Sequence, residues 1–394
     1  MLSAGERAGE PERSGAGSPS AVTAMLLRHR VIVTLGTGGV GKTTVAAALA
    51  LAARGLGRRT LCLTIDPARR LAQSLGLPNF STDEVRVDDA FLGRPGLPAA
   101  GQLTVMMLDA GRTFDELIDT HAPNAEVRAL VKSNRIYQHL SRHLAGTHAY
   151  MAMEKVQALL AEGRYDTIIL DTPPSERALD FFDAPDRMRE VVGSPLTKTL
   201  SRIGRSSGGK LGLRLVNAGV RGLLQRVGKI TGASLLDEFG GLLSLLDGLF
   251  GGFAERAEDV GARLGSAEFG YVLVSSPQSD SVRAAETFAR ALSARGLSVG
   301  ALVLNRTTPH PGPVPELEAL REDETVRGLG LTDEDLPRLL AAVRFDAARA
   351  NDEAEAIRSL GERLPRPLLV PDWSEPLHEP AGLWQLTDRL LGRA

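Results

Sequence analysis

Cys62 is the single cysteine in 394 residues. An intramolecular disulfide and a cysteine-based zinc cluster within one chain are thereby excluded. Its setting, Leu61-Cys62-Leu63, reads as a buried strand in which cysteine serves as a small hydrophobe. No apolar run approaches the ~18–20 residues of a membrane span. Residues 1–24 are rich in Gly, Ser, Ala, Pro and Glu and lack the apolar core of a secretory signal. That composition predicts a disordered N-terminal extension, with the ordered chain starting near Met25. A formal net charge of −2 supplies no general attraction for nucleic acid, so none is expected as a partner. No internal repeat is visible. These absences predict a soluble cytoplasmic protein, long enough for one large or two modest domains.

What the chain does have is Gly36-Thr37-Gly38-Gly39-Val40-Gly41-Lys42-Thr43-Thr44, a match to G-x-x-x-x-G-K-[ST]. Residues 30–35 before it are apolar and β-branched, and read as a buried strand. Residues 43–54 after it are rich in alanine and leucine, contain no proline, and read as a helix. In that context glycines let several backbone N–H groups converge on one phosphate, and the helix N-terminus adds partial positive charge. Lys42 is expected to reach the β- and γ-phosphates and the Thr43 hydroxyl to ligate Mg2+. All nine residues are candidate nucleotide contacts, with ATP and Mg2+ as the expected ligands.

Further apolar runs at 60–65, 103–108, 167–170, 271–274, 299–304 and 367–370 predict strands. Helical patterns cover 113–163, with a break at Ala145-Gly146, then 281–295 and 381–391, while 79–101 reads as a loop. Alternating strands and helices predict an α/β fold: a doubly wound, mostly parallel sheet with ligands at the strands' carboxyl ends. Asp66, Asp171, Ser275 and Asn305 are expected just after such strands. The segment 187–265 stands apart as an inserted helical subdomain, interrupting a nucleotide-binding domain formed by 25–186 and 266–394. Residues 187–230 hold ten Lys/Arg against one acid, and 231–264 hold six acids against two Arg. Apolar stripes from Leu215 to Val227 and from Leu236 to Phe253 have helical spacing. Glycines at 240, 241, 248, 251 and 252 weaken those helices by about 1 kcal/mol each, so they need a surface to pack on. They read either as helices covering the sheet or as a lid or partner groove.

Phosphoryl transfer from a nucleoside triphosphate needs a phosphate cradle, a metal, a water-orienting group and charge stabilisation. Asp171, after four apolar strand residues, fits an acid supporting the Mg2+ shell; a turn-capping aspartate is the alternative. Asp66 also ends a strand, before Pro67, and is the candidate for orienting water near the metal, again against a turn role. Arg69, Arg70 and Arg177 follow these aspartates and are candidates for the γ-phosphate or for surface ion pairs. His139, His143 and His148 share a helical stretch, but with no adjacent carboxylate they read as surface or packing residues. The stripe Leu383, Trp384, Leu386, Leu390, Leu391 reads as core, with a membrane-lying helix as the alternative.

Four stretches in order carry a resemblance to the ArsA/Get family of ATPases. They are Gly36–Thr44, Thr64-Ile65-Asp66-Pro67-Ala68, Asp171-Thr172-Pro173-Pro174 and Val303-Leu304-Asn305-Arg306. The resemblance spans roughly 28–392 and is weakest in the helical segment. It implies a dimer, of identical or different chains, that hydrolyses ATP to act on a protein client or a membrane-associated partner. It also implies that Asp66 orients water, Asp171 supports Mg2+, Asn305 hydrogen-bonds adenine, Arg306 contributes to nucleotide binding, and Pro371 packs on the adenine ring. Three departures matter. Thr37 replaces the lysine with which the family reaches the partner subunit's phosphates. The zinc-binding C-x-x-C pair is absent, and one cysteine cannot chelate arsenite. After Asp171-Thr172-Pro173-Pro174 the chain reads Ser175-Glu176-Arg177, where the family often has Thr-Gly-His or similar. The leading expectation is a Mg2+-dependent ATPase of this type. Its rivals are a nucleotide-gated subunit completed by a lysine-bearing relative, and a partitioning or positioning ATPase.

Overall fold

The structure is a computed structural model. It describes residues 20–65, 70–75, 77, 81–135, 137, 138, 141, 147–172, 178–193, 242, 255–360, 364, 365, 367–371 and 380–393. In chain order the elements are α1 (Ala21–Arg28), β1 (Val31–Leu35), α2 (Lys42–Gly55), β2 (Arg59–Thr64), α3 (Arg70–Leu75), β3 (Val85–Val87) and α4 (Asp89–Leu92). There follow β4 (Gln102–Met107), α5 (Ala110–His121), α6 (Ala125–Ser133), α7 (Thr147–Glu162), β5 (Thr167–Asp171) and α8 (Ala178–Gly193). The last are β6 (Phe269–Ser275), α9 (Ser279–Ala294), β7 (Ala301–Thr307), α10 (Leu317–Glu322), α11 (Glu324–Gly328), α12 (Leu336–Arg358), β8 (Leu368–Pro371) and α13 (Pro380–Leu390). A further helical run covers 255–264.

The strands form one eight-stranded sheet in the order β3-β4-β2-β5-β1-β6-β7-β8. Every pairing is parallel except β3 with β4. Both faces are covered, and the apolar strand runs follow from that. Val31, Val33, Ile168, Leu170, Leu302 and Leu304 lie in one core with α5, α6, α7, α8 and α9. Their neighbours Ile32, Ile169, Ala301 and Val303 lie in the other, with α1, α2, α3 and α13. This is the doubly wound, mostly parallel α/β architecture expected from the sequence. Leu383, Leu386 and Leu390 of α13 are fully buried on α2, each contributing about 1.5–3 kcal/mol. Thr387 donates to the Ala48 carbonyl at 3.2 Å. The C-terminal stripe is core, so the membrane-lying alternative falls. No described helix is long and apolar enough to cross a membrane.

The structure corrects several expected boundaries. Helix α1 begins at Ala21, ahead of Met25, because Ser20 caps Thr23 N–H at 3.1 Å and donates to the Leu390 carbonyl at 3.1 Å. Val22 is buried with Met25 and Leu26. The helical span from 113 is broken at Pro123, after which Asn124 accepts from Val127 N–H at 2.9 Å and starts α6. The expected break at 145–146 lies outside the described residues. So do the apolar stripes of the helical segment; within the span of the second, only Leu242 is described, and it is buried. Asp171 and Ser275 close their strands instead of following them, and Asn305 lies inside β7, which continues to Thr307.

Residues 81–101, expected as loop, hold β3 and α4 because ion pairs fasten them down. Arg54, whose side chain is 1% exposed, makes a two-pronged pair with Asp89 at 3.1 and 2.8 Å and donates to the Pro98 carbonyl at 2.6 Å. Arg94 pairs with Asp388 through two 3.0 Å bonds and lies over the Trp384 ring. Asp89 is half-exposed and Arg54 is not, which makes the two partners unequal. Asp89→Ala strands a buried guanidinium and is expected to cost about 3 kcal/mol. Arg54→Met leaves a carboxylate that water reaches and is expected to cost about 1 kcal/mol. Urea unfolding checks the order; equal costs, or the reverse, would contradict it.

Candidate phosphate-binding site

The Gly36–Thr44 segment connects β1 to α2 at the carboxyl end of the sheet. Gly36 has φ +147°, and a Cβ there would lie 2.1 Å from the Val274 carbonyl oxygen of β6. Only glycine lets the chain leave β1 against that backbone. Gly38 and Gly39 are exposed at the turn, and Val40 is buried beneath it. Gly41 is left-handed, at φ +92°, and starts α2 without a side-chain cap. The first N–H groups of α2 therefore face the loop, where an anion is favoured by both hydrogen bonding and the helix dipole.

Lys42 is 5% exposed and its ammonium donates to the Thr37 carbonyl at 2.8 Å. The charge is thus folded back across the loop it would serve. Thr43 donates to Asp171 Oδ2 at 2.8 Å, and Thr64 of β2 donates to the same oxygen at 3.0 Å. Asp171 is fully buried. Strand register explains the meeting, since Asp171 lies opposite both Thr34 of β1 and Thr64 of β2. Thr172 donates to the Thr34 carbonyl at 2.6 Å and fixes the exit of β5. Thr44 is half-buried beside Thr43.

Magnesium bound with a nucleotide usually takes one or two protein oxygens, completing its octahedron with phosphates and water. A hydroxyl beside a buried carboxylate, Thr43 and Asp171, fits that donor set. A cage is not required, and among the described residues no cluster of three or more His, Cys, Asp or Glu occurs. His148 is exposed, while His139 and His143 lie outside the described residues. Cys62 is buried on β2, where burial first and the Asp171 charge second push its thiol well above the usual range. It is an inert hydrophobe, as its sequence setting suggests.

Asn305 lies within β7, 5% exposed, and its amide donates to the Val40 carbonyl at 3.0 Å. A Cβ on Gly41 would lie 2.2 Å from that amide nitrogen. Asn305 therefore buttresses the loop, a role that sequence alone did not suggest. Arg306, next to it, is exposed and left-handed at φ 62°. Pro371 ends β8 opposite Thr307. Thr64 is the other contributor missed from sequence; its only signal was its place at the end of an apolar strand. Asp66, Arg69 and Arg177 lie outside the described residues, as does the side chain of Arg70. The loop, Asp171, Thr64 and Asn305 are brought together within one mouth of the sheet.

Residues 29–223 match the anion-transporting ATPase family model. The match stops short of Val303–Arg306, so it is narrower than the expected 28–392. The ATPase GET3 of Podospora anserina is 26% identical over 176 residues, covering 45% of this chain and 47% of the relative. A protein of Aquifex aeolicus named as an arsenical pump-driving ATPase is 28% identical over 176 residues, covering 41% of this chain and 39% of the relative. An uncharacterised protein of Streptomyces coelicolor is 32% identical over 166 residues, covering 41% and 39% respectively. The chain thus spans less than half the length of each of these relatives.

Proposed function

We propose that this chain is a Mg2+-dependent ATPase working as a dimer, of the anion-transporting ATPase type whose family model matches residues 29–223. Its ATP-driven opening and closing would act on a protein client or a membrane-associated partner. The observation that carries the proposal is the bond from Thr43 to the buried Asp171 beside an uncapped helix start. In it the loop N–H groups cradle the phosphates and Lys42 moves from Thr37 to the β- and γ-phosphates. The Thr43 hydroxyl, with Asp171 behind it, would hold Mg2+, which would supply charge neutralisation at the phosphates. Asp66 orients the attacking water, Asn305 and Pro371 contact the adenine, and Arg306 contributes to nucleotide binding. Get-type relatives and the absence of a cysteine set favour a client other than arsenite.

Phosphate release by the full chain, measured across Mg2+ concentrations, tests this. The expected result is metal-dependent hydrolysis of ATP, with Thr43→Ala raising the Mg2+ needed for half-maximal rate by about tenfold. Metal-independent release, or an unchanged requirement in Thr43→Ala, would contradict the assignment. A second reading is favoured by Thr37: a subunit with weak turnover, completed by a lysine-bearing relative. The same assay separates the two. Strong basal turnover excludes the second reading; a rate that rises only in Thr37→Lys supports it.

A further inference from the structure

Among the described residues, Arg306 is the one non-glycine residue with positive φ. Such a backbone is disfavoured for L side chains and persists only where its surroundings hold it. The pairing of β7 with β8 shows why it is needed. Asn305 lies opposite Val370 and Thr307 opposite Pro371, so Arg306 is an extra residue in a β-bulge. What holds the bulge comes from α12. Glu353, 8% exposed, accepts the Thr308 backbone N–H at 2.7 Å and the Thr308 hydroxyl at 2.8 Å. Arg349 donates to it at 3.0 Å. A buried carboxylate with three such donors grips one residue firmly, because charge-assisted bonds are short and strong. On the other side of the bulge, Asn305 holds the Val40 carbonyl at 3.0 Å.

We propose that Glu353 is a positioning residue for nucleotide binding. It holds the corner 305–308 in its bulged form, so that Asn305 keeps Val40, and with it the Gly41 end of the phosphate loop, in place. The proposal rests on the ATPase reading above for its ligand, and on the structure alone for the corner. Glu353 touches no nucleotide; it acts through Thr308, the bulge and Asn305. Because the loop is used alike by substrate and product, its effect falls on binding and not on the chemical step.

The test is a double-mutant cycle in the full chain, pairing Glu353→Ala with Arg306→Gly. Glu353→Ala is expected to weaken ATP and ADP equally, by about tenfold, with kcat within about twofold of the parent. Tryptic cleavage after Arg306 is expected to accelerate by about tenfold, since the corner opens more often. In the Arg306→Gly background the same substitution should change affinity by less than about twofold, because glycine adopts the left-handed conformation without being held. A role confined to general stability would lower Tm alike in both backgrounds and leave affinity alone. If Glu353→Ala does not fold, Glu353→Gln, which keeps one acceptor oxygen and the volume, should show about a threefold loss with the same dependence on background. Unchanged cleavage at Arg306, or equal affinity losses in both backgrounds, would overturn the proposal. The proteolysis needs no nucleotide. A chain that binds no ATP would therefore sink the ATPase reading, while cleavage still decides whether Glu353 holds the corner.

Discussion

Gly36→Ala is expected to cut ATP affinity by about 100-fold, ~2.7 kcal/mol, while the sheet stays folded. The conflict is with backbone: the new Cβ would sit 2.1 Å from the Val274 carbonyl oxygen, and φ +147° is unfavourable for alanine. The last turn of β1 must shift to relieve it, and the loop N–H groups shift with it. Strands β1 and β6 are held by five paired positions from Val31 to Leu35, so the cost concentrates in the loop. Gly41→Ala makes the informative comparison. Its Cβ would meet the Asn305 amide at 2.2 Å, a side-chain end that can turn away, although φ +92° still disfavours alanine. A loss of about tenfold is expected there. Calorimetric titration, with circular dichroism to confirm folding, checks both. Gly41→Ala proving the more damaging would contradict the geometry described for the loop.

Asp66→Asn is expected to lower kcat by about 10³-fold while ATP binding changes by less than about threefold. The assignment starts from the end of β2. Thr64 donates to Asp171, and the Ile65 N–H donates to the Asp171 carbonyl at 3.1 Å. Thr64 and Ile65 thus lie beside the Thr43–Asp171 pair, and Asp66 is the next residue in sequence. A carboxylate there accepts a proton-sharing bond from water; an amide of the same shape accepts it far more weakly. Single-turnover hydrolysis and binding, measured on the same preparation, separate the two effects. Unchanged turnover removes Asp66 from the mechanism, and lost binding makes it a ligand of the metal first. A retained complex with unhydrolysed ATP would also serve to capture a client.

The phosphate loop was legible because its chemistry is local: glycines, lysine and threonine follow one another between a β-branched run and an alanine-rich helix. Asp171 was legible for a similar reason, as an acid ending an apolar strand. Its link to Thr64 was not, because the pair are joined by β2–β5 register across more than a hundred residues. The Asn305–Val40 contact likewise depends on where β7 enters the sheet. Helix α12 left little trace in sequence because its buried positions, Leu336, Leu340, Ala347, Ala350 and Glu353, are sparse and include two alanines and an acid on an otherwise charged helix. The edge strand β3 has only three residues and is held by Glu84 pairing with Arg164 at 2.6 Å and with Tyr165 at 2.8 Å. Such ion pairs, like that of Arg54 with Asp89, cannot be read from spacing.

The central claim is that Gly36–Thr44 holds MgATP. Equilibrium titration of the full chain with ATP, with and without Mg2+, beside Gly36→Ala, tests it most directly. Saturable binding of one nucleotide per chain, strengthened by Mg2+ and lost in Gly36→Ala, is the expected result. No binding by the unaltered chain, or equal binding by Gly36→Ala, would contradict it.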